Sequence, residues 1–192
     1  LGERLAAEYI VQRFTDLELQ PKGTDGYYQN FSFKPSTNPH EKAAIVEKDE
    51  DSLATGMNVV GYIDNKAETT VVIGAHYDHL GYGGSGSLYR EGEAIHNGAD
   101  DNASGVAVLL DLAGRLNAPE QPSNNNYLFI AFSGEETGLL GSNYFVKNPT
   151  IDTKKVNYML NMDMVGRLNE EKTVAVHGVG TSPIFKQTLF AN

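Results

Sequence analysis

Apolar residues fall into two periodicities along the chain. Leu5, Ala6, Tyr9, Ile10, Phe14 and Leu17 recur at helical spacing and predict an amphipathic helix at the start. Residues 27–35 (YYQNFSFKP) and 42–48 (KAAIVEK) alternate as strands do, with the Pro/Asn segment 35–40 as the turn between them. NVVGYI at 58–63 and TVVIGAHYD at 70–78 are two further strands. The run Val71-Val72-Ile73 suits a strand covered on both faces. Residues 79–100 are rich in Gly and polar side chains and predict a long functional loop. From Ser104 to Leu116 apolar residues are dense enough to predict a largely buried helix, with Val106, Leu109, Leu110, Ala113 and Leu116 in phase. Residues 127–133 (YLFIAFS) predict a buried strand, followed by a short helix near 138–147. VNYMLNMDM at 156–164 and TVAVHGV at 173–179 are the last predicted strands. Ser182-Pro183 marks an N-cap and the first position of a closing helix.

Strands alternating with helices predict an α/β three-layer sandwich: a mostly parallel, mixed central sheet flanked by helices. No repeat or internal boundary interrupts it, so residues 1–192 are expected to form one domain. The chain lacks an initial Met and a signal pattern, and its last helix is short. The domain is therefore expected to continue past Asn192.

Composition narrows the chemistry. With 15 basic and 25 acidic residues the net charge is −10, which argues against nucleic acid and anionic membranes as partners. No apolar stretch approaches the length of a membrane span. There is no cysteine, so disulfides, thiolate metal sites and cysteine nucleophiles are excluded.

Four segments carry candidate chemistry, each at or just after a predicted strand end: His76-Tyr77-Asp78, the run 98–105 (GADDNASG), the run 133–138 (SGEETG), and 161–164 (NMDM). In an open α/β sheet, sites form at the carboxyl ends of strands, so these segments should converge on one crevice. Imidazole with several carboxylates, and no thiolate, suits zinc or another divalent first-row ion. Without a cation, so many acids together would repel and some would protonate. Asp78, two residues after His76, can accept the second ring N–H of His76 and fix its tautomer. Glu135 and Glu136 sit at a strand-to-helix turn where neighbours diverge, so one can bind metal while the other holds the attacking water. Met162 and Met164 are expected to point away from Asp163 into the sheet packing.

The motifs GAHYDHLG (74–81), NGADDNASG (97–105), FSGEETGLLGS (132–142) and NMDMVG (161–166) resemble, in order and spacing, those of the M28 family of zinc aminopeptidases. Together they span about half of the chain. The related M20 family shares H-x-D and a Glu-Glu pair, but its bridging-Asp segment differs from DDNASG. The resemblance implies two zinc ions. His76 and Asp163 bind one, Asp101 bridges both, and Glu136 binds the other. It also implies that Glu135 is the general base and acid, and that Asp78 is the partner of His76. The family's last ligand is a His near the end of the catalytic domain. No matching segment is present, which leaves the second ion with Asp101 and Glu136. The family further implies peptide substrates and an extracellular or periplasmic location.

Other readings stand beside these. Asp100 is an alternative bridging residue to Asp101. Asp111 is expected to be structural. His79, one residue off the strand register, is expected to make a loop contact rather than bind metal. His96 fits either a substrate cleft or a surface loop, and His177 falls too soon after Asp163 to supply the missing ligand. Residues 81–86 (GYGGSG) match G-x-G-x-x-G, but no helical period follows, so a flap beside the metal site is expected instead of a nucleotide site. The leading function is a metallo-exopeptidase that removes N-terminal residues. A single-zinc glutaminyl cyclase and a non-catalytic binding module are the alternatives.

Overall fold

The computed structural model describes residues 2–35, 43–46, 54–83, 87–118 and 123–190. The expected turn at 35–40 and the centre of the Gly-rich run at 84–86 lie outside, or almost wholly outside, these residues.

Seven strands form one mixed sheet in the order β3-β2-β4-β6-β5-β7, with β1 paired to β4. They are β1 (Gln20–Pro21), β2 (Tyr28–Lys34), β3 (Ala44–Val46), β4 (Ala54–Ile63), β5 (Thr69–His76), β6 (Asn125–Phe132) and β7 (Val156–Asn161). The helices are α1 (Gly2–Asp16), α2 (Gly105–Leu116), α3 (Leu140–Lys147) and α4 (Pro183–Phe190). The expected α/β sandwich with a mixed central sheet holds. Parallel pairing is confined to β6–β5 and β5–β7, and the pairs among β1 to β4 and between β4 and β6 are antiparallel.

Two apolar layers follow from the period-2 alternation of the central strands. Val59, Val71, Ile73, Phe129 and Ala131 face α1 and α2. Val60, Val72, Leu128, Ile130 and Phe132 face the other way and pack with Phe145 of α3. Covered on both faces, these strands read as continuous apolar runs.

The helices differ from their expected faces. In α1 the buried residues are Ala7, Ile10 and Phe14, while Leu5 and Tyr9 are more than half exposed. The helix covers its sheet along a narrow stripe, so the flanking apolar residues stay outside. In α2 only Gly105, Leu109 and Ala113 are buried, and Ala107 and Val108 face solvent. Asp111 lies on that open face and pairs with Arg115 at 2.6 Å, one helical turn away.

The predicted strand at 173–179 is absent. Residues 173–178 are coil, Val179 opens a short 3-10 turn, and Val174 and Val176 are exposed. A strand forms only where a neighbour takes up its backbone groups, and nothing among the described residues pairs with this segment. β7 is correspondingly the edge, with Tyr158, Met159 and Leu160 each more than 40% exposed. Strand order and pairing direction place the ends of β5, β6 and β7 side by side: His76 is level with Phe132, and Gly74 with Asn161. A side chain at Gly74 would collide with Phe132 and Asn161, so glycine there lets the three strands close up beneath the site. Among the described residues no helix is long and apolar enough to cross a membrane.

Candidate metal centre

Three parallel strand ends and one helix start build the site. His76 is the last residue of β5 and is 3% exposed. Asp101 lies in the tight turn Ala99–Ser104 that leads into α2. Glu135 and Glu136 follow β6, and Asp163 stands two residues past β7. Neither Asp78 nor Asp163 belongs to a strand as expected, because pairing stops at His76 and Asn161.

The side chains of these segments converge. His76 Nε2 stands 3.2 Å from Asp101 Oδ1, 3.5 Å from Asp163 Oδ1 and 4.0 Å from Glu135 Oε2. Two atoms bound to zinc at roughly 2.0–2.1 Å are about 3.3 Å apart across a tetrahedral angle. The spacing of His76 to Asp101 and Asp163 therefore fits one ion, and imidazole with two carboxylates is a suitable donor set. Two groups among the described residues have metal-ligand spacing: His76 with Asp101 and Asp163, and His79 with Asp101 and Glu136. Asp101 belongs to both.

Asp100 is engaged elsewhere. Its Oδ1 accepts the N–H of Gly166 at 2.9 Å, and its carbonyl accepts the Ser104 hydroxyl at 2.6 Å. His177 is exposed coil and joins no described cluster. His96 Nε2 lies 3.0 Å from Ser87 Oγ, and no helix occurs between residues 87 and 98.

The surroundings shift the site's protonation. Burial alone would lower the His76 pKa, but the carboxylates of Asp78, Glu135 and Asp163 outweigh it and raise it to about 9. Burial raises Glu135, and the negative charges of Glu136, Asp78 and Asp163 add to the rise against the pull of His76.

The Asp78 carboxylate stands beyond hydrogen-bond distance of the His76 ring, whose N–H it was expected to accept. Its Oδ1 is 3.7 Å from His76 Nδ1, while the Asp78 carbonyl oxygen is nearer to that nitrogen, at 3.2 Å. The carboxylate accepts the backbone N–H groups of Glu135 at 3.0 Å and Glu136 at 3.1 Å.

Two supports carry no signal in the motif reading. Asn102 is 2% exposed. Its Nδ2 donates to the carbonyls of His76 at 3.3 Å and Met162 at 3.0 Å. Its Oδ1 accepts from the N–H groups of Gly105 at 3.0 Å and Met164 at 3.2 Å. One amide thus ties β5, the segment after β7 and the start of α2. The Asp101–Asn102 peptide is cis. Met162 is buried as expected, but Met164, at φ 52, has left the strand and is 56% exposed. Below the glutamate turn, Asn58 accepts from Ser133 N at 3.1 Å and donates to Gly141 O at 2.9 Å, which joins β4 to both ends of that turn.

Known proteins resemble this chain in sequence and in fold. A probable leucine aminopeptidase of Arthroderma otae is 35% identical over 135 residues. That alignment covers 68% of this chain and 34% of the relative, so the chain spans about a third of that relative's length. A solved Zn-dependent exopeptidase from Parabacteroides distasonis superimposes with a TM-score of 0.64 at 21% identity, covering 85% of this chain and 53% of that one. The glutaminyl cyclase of Tannerella forsythia has the same score and identity, with 85% and 54% covered. At such identities the likeness is one of fold. The family model described as Peptidase family M28 matches residues 58–189, which include all four acidic and imidazole segments, and the chain belongs to that family.

Proposed function

We propose that the chain carries the machinery of a metal-dependent exopeptidase that removes N-terminal residues from peptides. The observation that carries this reading is the convergence of His76, Asp101 and Asp163 at ligand spacing, with Glu135 at their side. Zinc, when bound, supplies Lewis acidity toward the scissile carbonyl and brings a water's pKa toward neutrality.

His76, Asp101 and Asp163 would hold one ion. Asp101 and Glu136 would hold a second, more weakly, since they offer two protein groups against three. Glu135 holds the attacking water, takes its proton and later delivers it to the leaving amine. A glutamate whose pKa is raised by burial and neighbouring acids is better matched to that task near neutral pH. Asp78 holds the glutamate turn and stands beside His76, so it sets the position of base and ligand together. The net acidity of the crevice attracts the substrate's terminal ammonium and favours cleavage at chain ends. An extracellular or periplasmic place of action rests on the family resemblance.

Aminoacyl-anilides and Gln-peptides assayed side by side, with and without a chelator, test the reading. Chelator-sensitive anilide release supports it. Cyclisation of Gln-peptides without anilide release would overturn it in favour of a cyclase.

A further inference from the structure

We propose that His79 is a positioning residue that holds the Glu136 carboxylate for the second ion, an inference that rests on the metal-centre reading above. His79 lies three residues past the end of β5, where strand register no longer decides which way a side chain turns. Its Nδ1 stands 2.6 Å from Glu136 Oε1, and both side chains are 20% exposed.

Distance separates the two roles open to this imidazole. Two ligands of one zinc ion would stand about 3.3 Å apart. The His76 contacts meet that spacing. The His79–Glu136 contact is shorter by about the difference between a ligand edge and a charge-assisted hydrogen bond. The ring nitrogen therefore serves the carboxylate directly, and the other Glu136 oxygen would remain free to hold a second ion with Asp101.

The need for such a partner follows from the turn. Asp78 fixes the backbone N–H of Glu136, but three rotatable bonds separate that backbone from the carboxylate. His79 supplies the missing restraint, and its own ring is restrained in turn. Gly98 stands against it: a Cβ on Gly98 would come within 3.0 Å of His79 Cγ and Cδ2. His96 meets the ring edge-on at 6.1 Å between centroids and is itself held by Ser87. Gly98 also opens the turn that carries Asp101, so the ring registers the Glu136 carboxylate against Asp101.

Cobalt titration of the purified, metal-stripped protein, followed by visible absorption and calorimetry, tests this. His79→Ala should leave the tighter binding event unchanged and weaken the second about 10–100-fold. His79→Asn, whose side-chain N–H stands near the place of Nδ1, should recover most of that loss. Should His79→Ala fail to fold, His79→Gln carries the comparison, because its N–H is set one carbon too far out. Both events unchanged in the Ala (or Gln) variant, both weakened alike, or no recovery with Asn would each overturn the assignment. A variant that takes up only one equivalent at saturating cobalt would make His79 a ligand and overturn the positioning role equally. Failure of the metal-centre reading is distinct, because the wild-type protein itself would then take up no cobalt, or a single equivalent.

Discussion

Asp78 accepts the backbone N–H of Glu135 at 3.0 Å through Oδ1, the same oxygen that stands 3.7 Å from the His76 ring. The carboxylate therefore fixes the turn after β6 by hydrogen bonds and acts on His76 through its charge, while the Asp78 carbonyl makes the nearer contact to the ring. Asp78→Asn replaces one of its two acceptor oxygens by a donor, which would face an N–H of that turn. Metal affinity or hydrolysis should fall about 10–100-fold, as when a partner that orients a ligand is lost. Metal titration and steady-state kinetics check this. Asp111→Asn is the control, since among the described residues Asp111 pairs with Arg115 alone, on the open face of α2, and should change neither.

Glu135 lies 4.0 Å from His76 Nε2, farther than Asp101 or Asp163. Glu135→Gln should keep the metal content of the wild type and lower turnover by about 10²–10⁴. Metal analysis beside single-turnover hydrolysis separates the two effects. Full turnover in the Gln variant would remove Glu135 from the proton path.

The sheet centre and the acid cluster were legible in the sequence because both are local patterns. Val71–Ile73 and Leu128–Phe132 are continuous apolar runs, and the Glu135-Glu136 pair comes shortly after the second of them. What was not legible depends on partners distant in sequence. The strand expected at 173–179 alternates correctly, yet among the described residues no neighbour pairs with it. The strand pattern runs on through Asp163 and Met164, because pattern alone does not show where pairing stops. Asn102 has the look of any turn asparagine, and its two donated bonds reach residues 26 and 60 positions away. Strand register, which argues against a site role for His79, ends at His76. A second histidine in HYDH, read with the nearby Glu pair, was the signal available.

Asn102→Ala should destabilise the protein and the first ion site together. It removes a buried amide with four hydrogen bonds, and the loss of even part of that set costs about 3 kcal/mol. In a chain of this size that lowers Tm by about 6–12 °C. Asn102→Asp keeps the acceptor toward Gly105 and Met164 but turns a carboxylate oxygen on the carbonyls of His76 and Met162 and adds a buried charge to the acid cluster, so its Tm should fall at least as far as that of Ala. Thermal unfolding in the presence of chelator isolates this effect from metal loss. An Ala variant that melts with the wild type would show that the amide is dispensable.

Glu3 gives a pH-dependent prediction away from the ligands. The residue as a whole is exposed, but its carboxylate turns inward and accepts the hydroxyl of Ser133, which is 1% exposed. Burial of the carboxyl raises its pKa above 4.5, the charge of Asp78 adds to the rise, and the Ser133 bond opposes it. The folded protein thus holds this proton more tightly than the unfolded chain. The resulting stabilisation is complete below pH 4.5 and is lost as pH rises through the raised folded value. Glu3→Gln keeps an acceptor for Ser133 and removes the charge. Metal-stripped Glu3→Gln should melt above the wild type at pH 7 by at most about 2–4 °C, the shift of roughly 1 kcal/mol in a chain of this size once solvent screening is allowed for. The gap should close as pH falls toward 4.5, where both carry a neutral side chain. Calorimetric melts from pH 4 to 8 read this directly. A gap that stays constant with pH, or that widens toward acid, would mean that the charge of Glu3 is not what the fold works against.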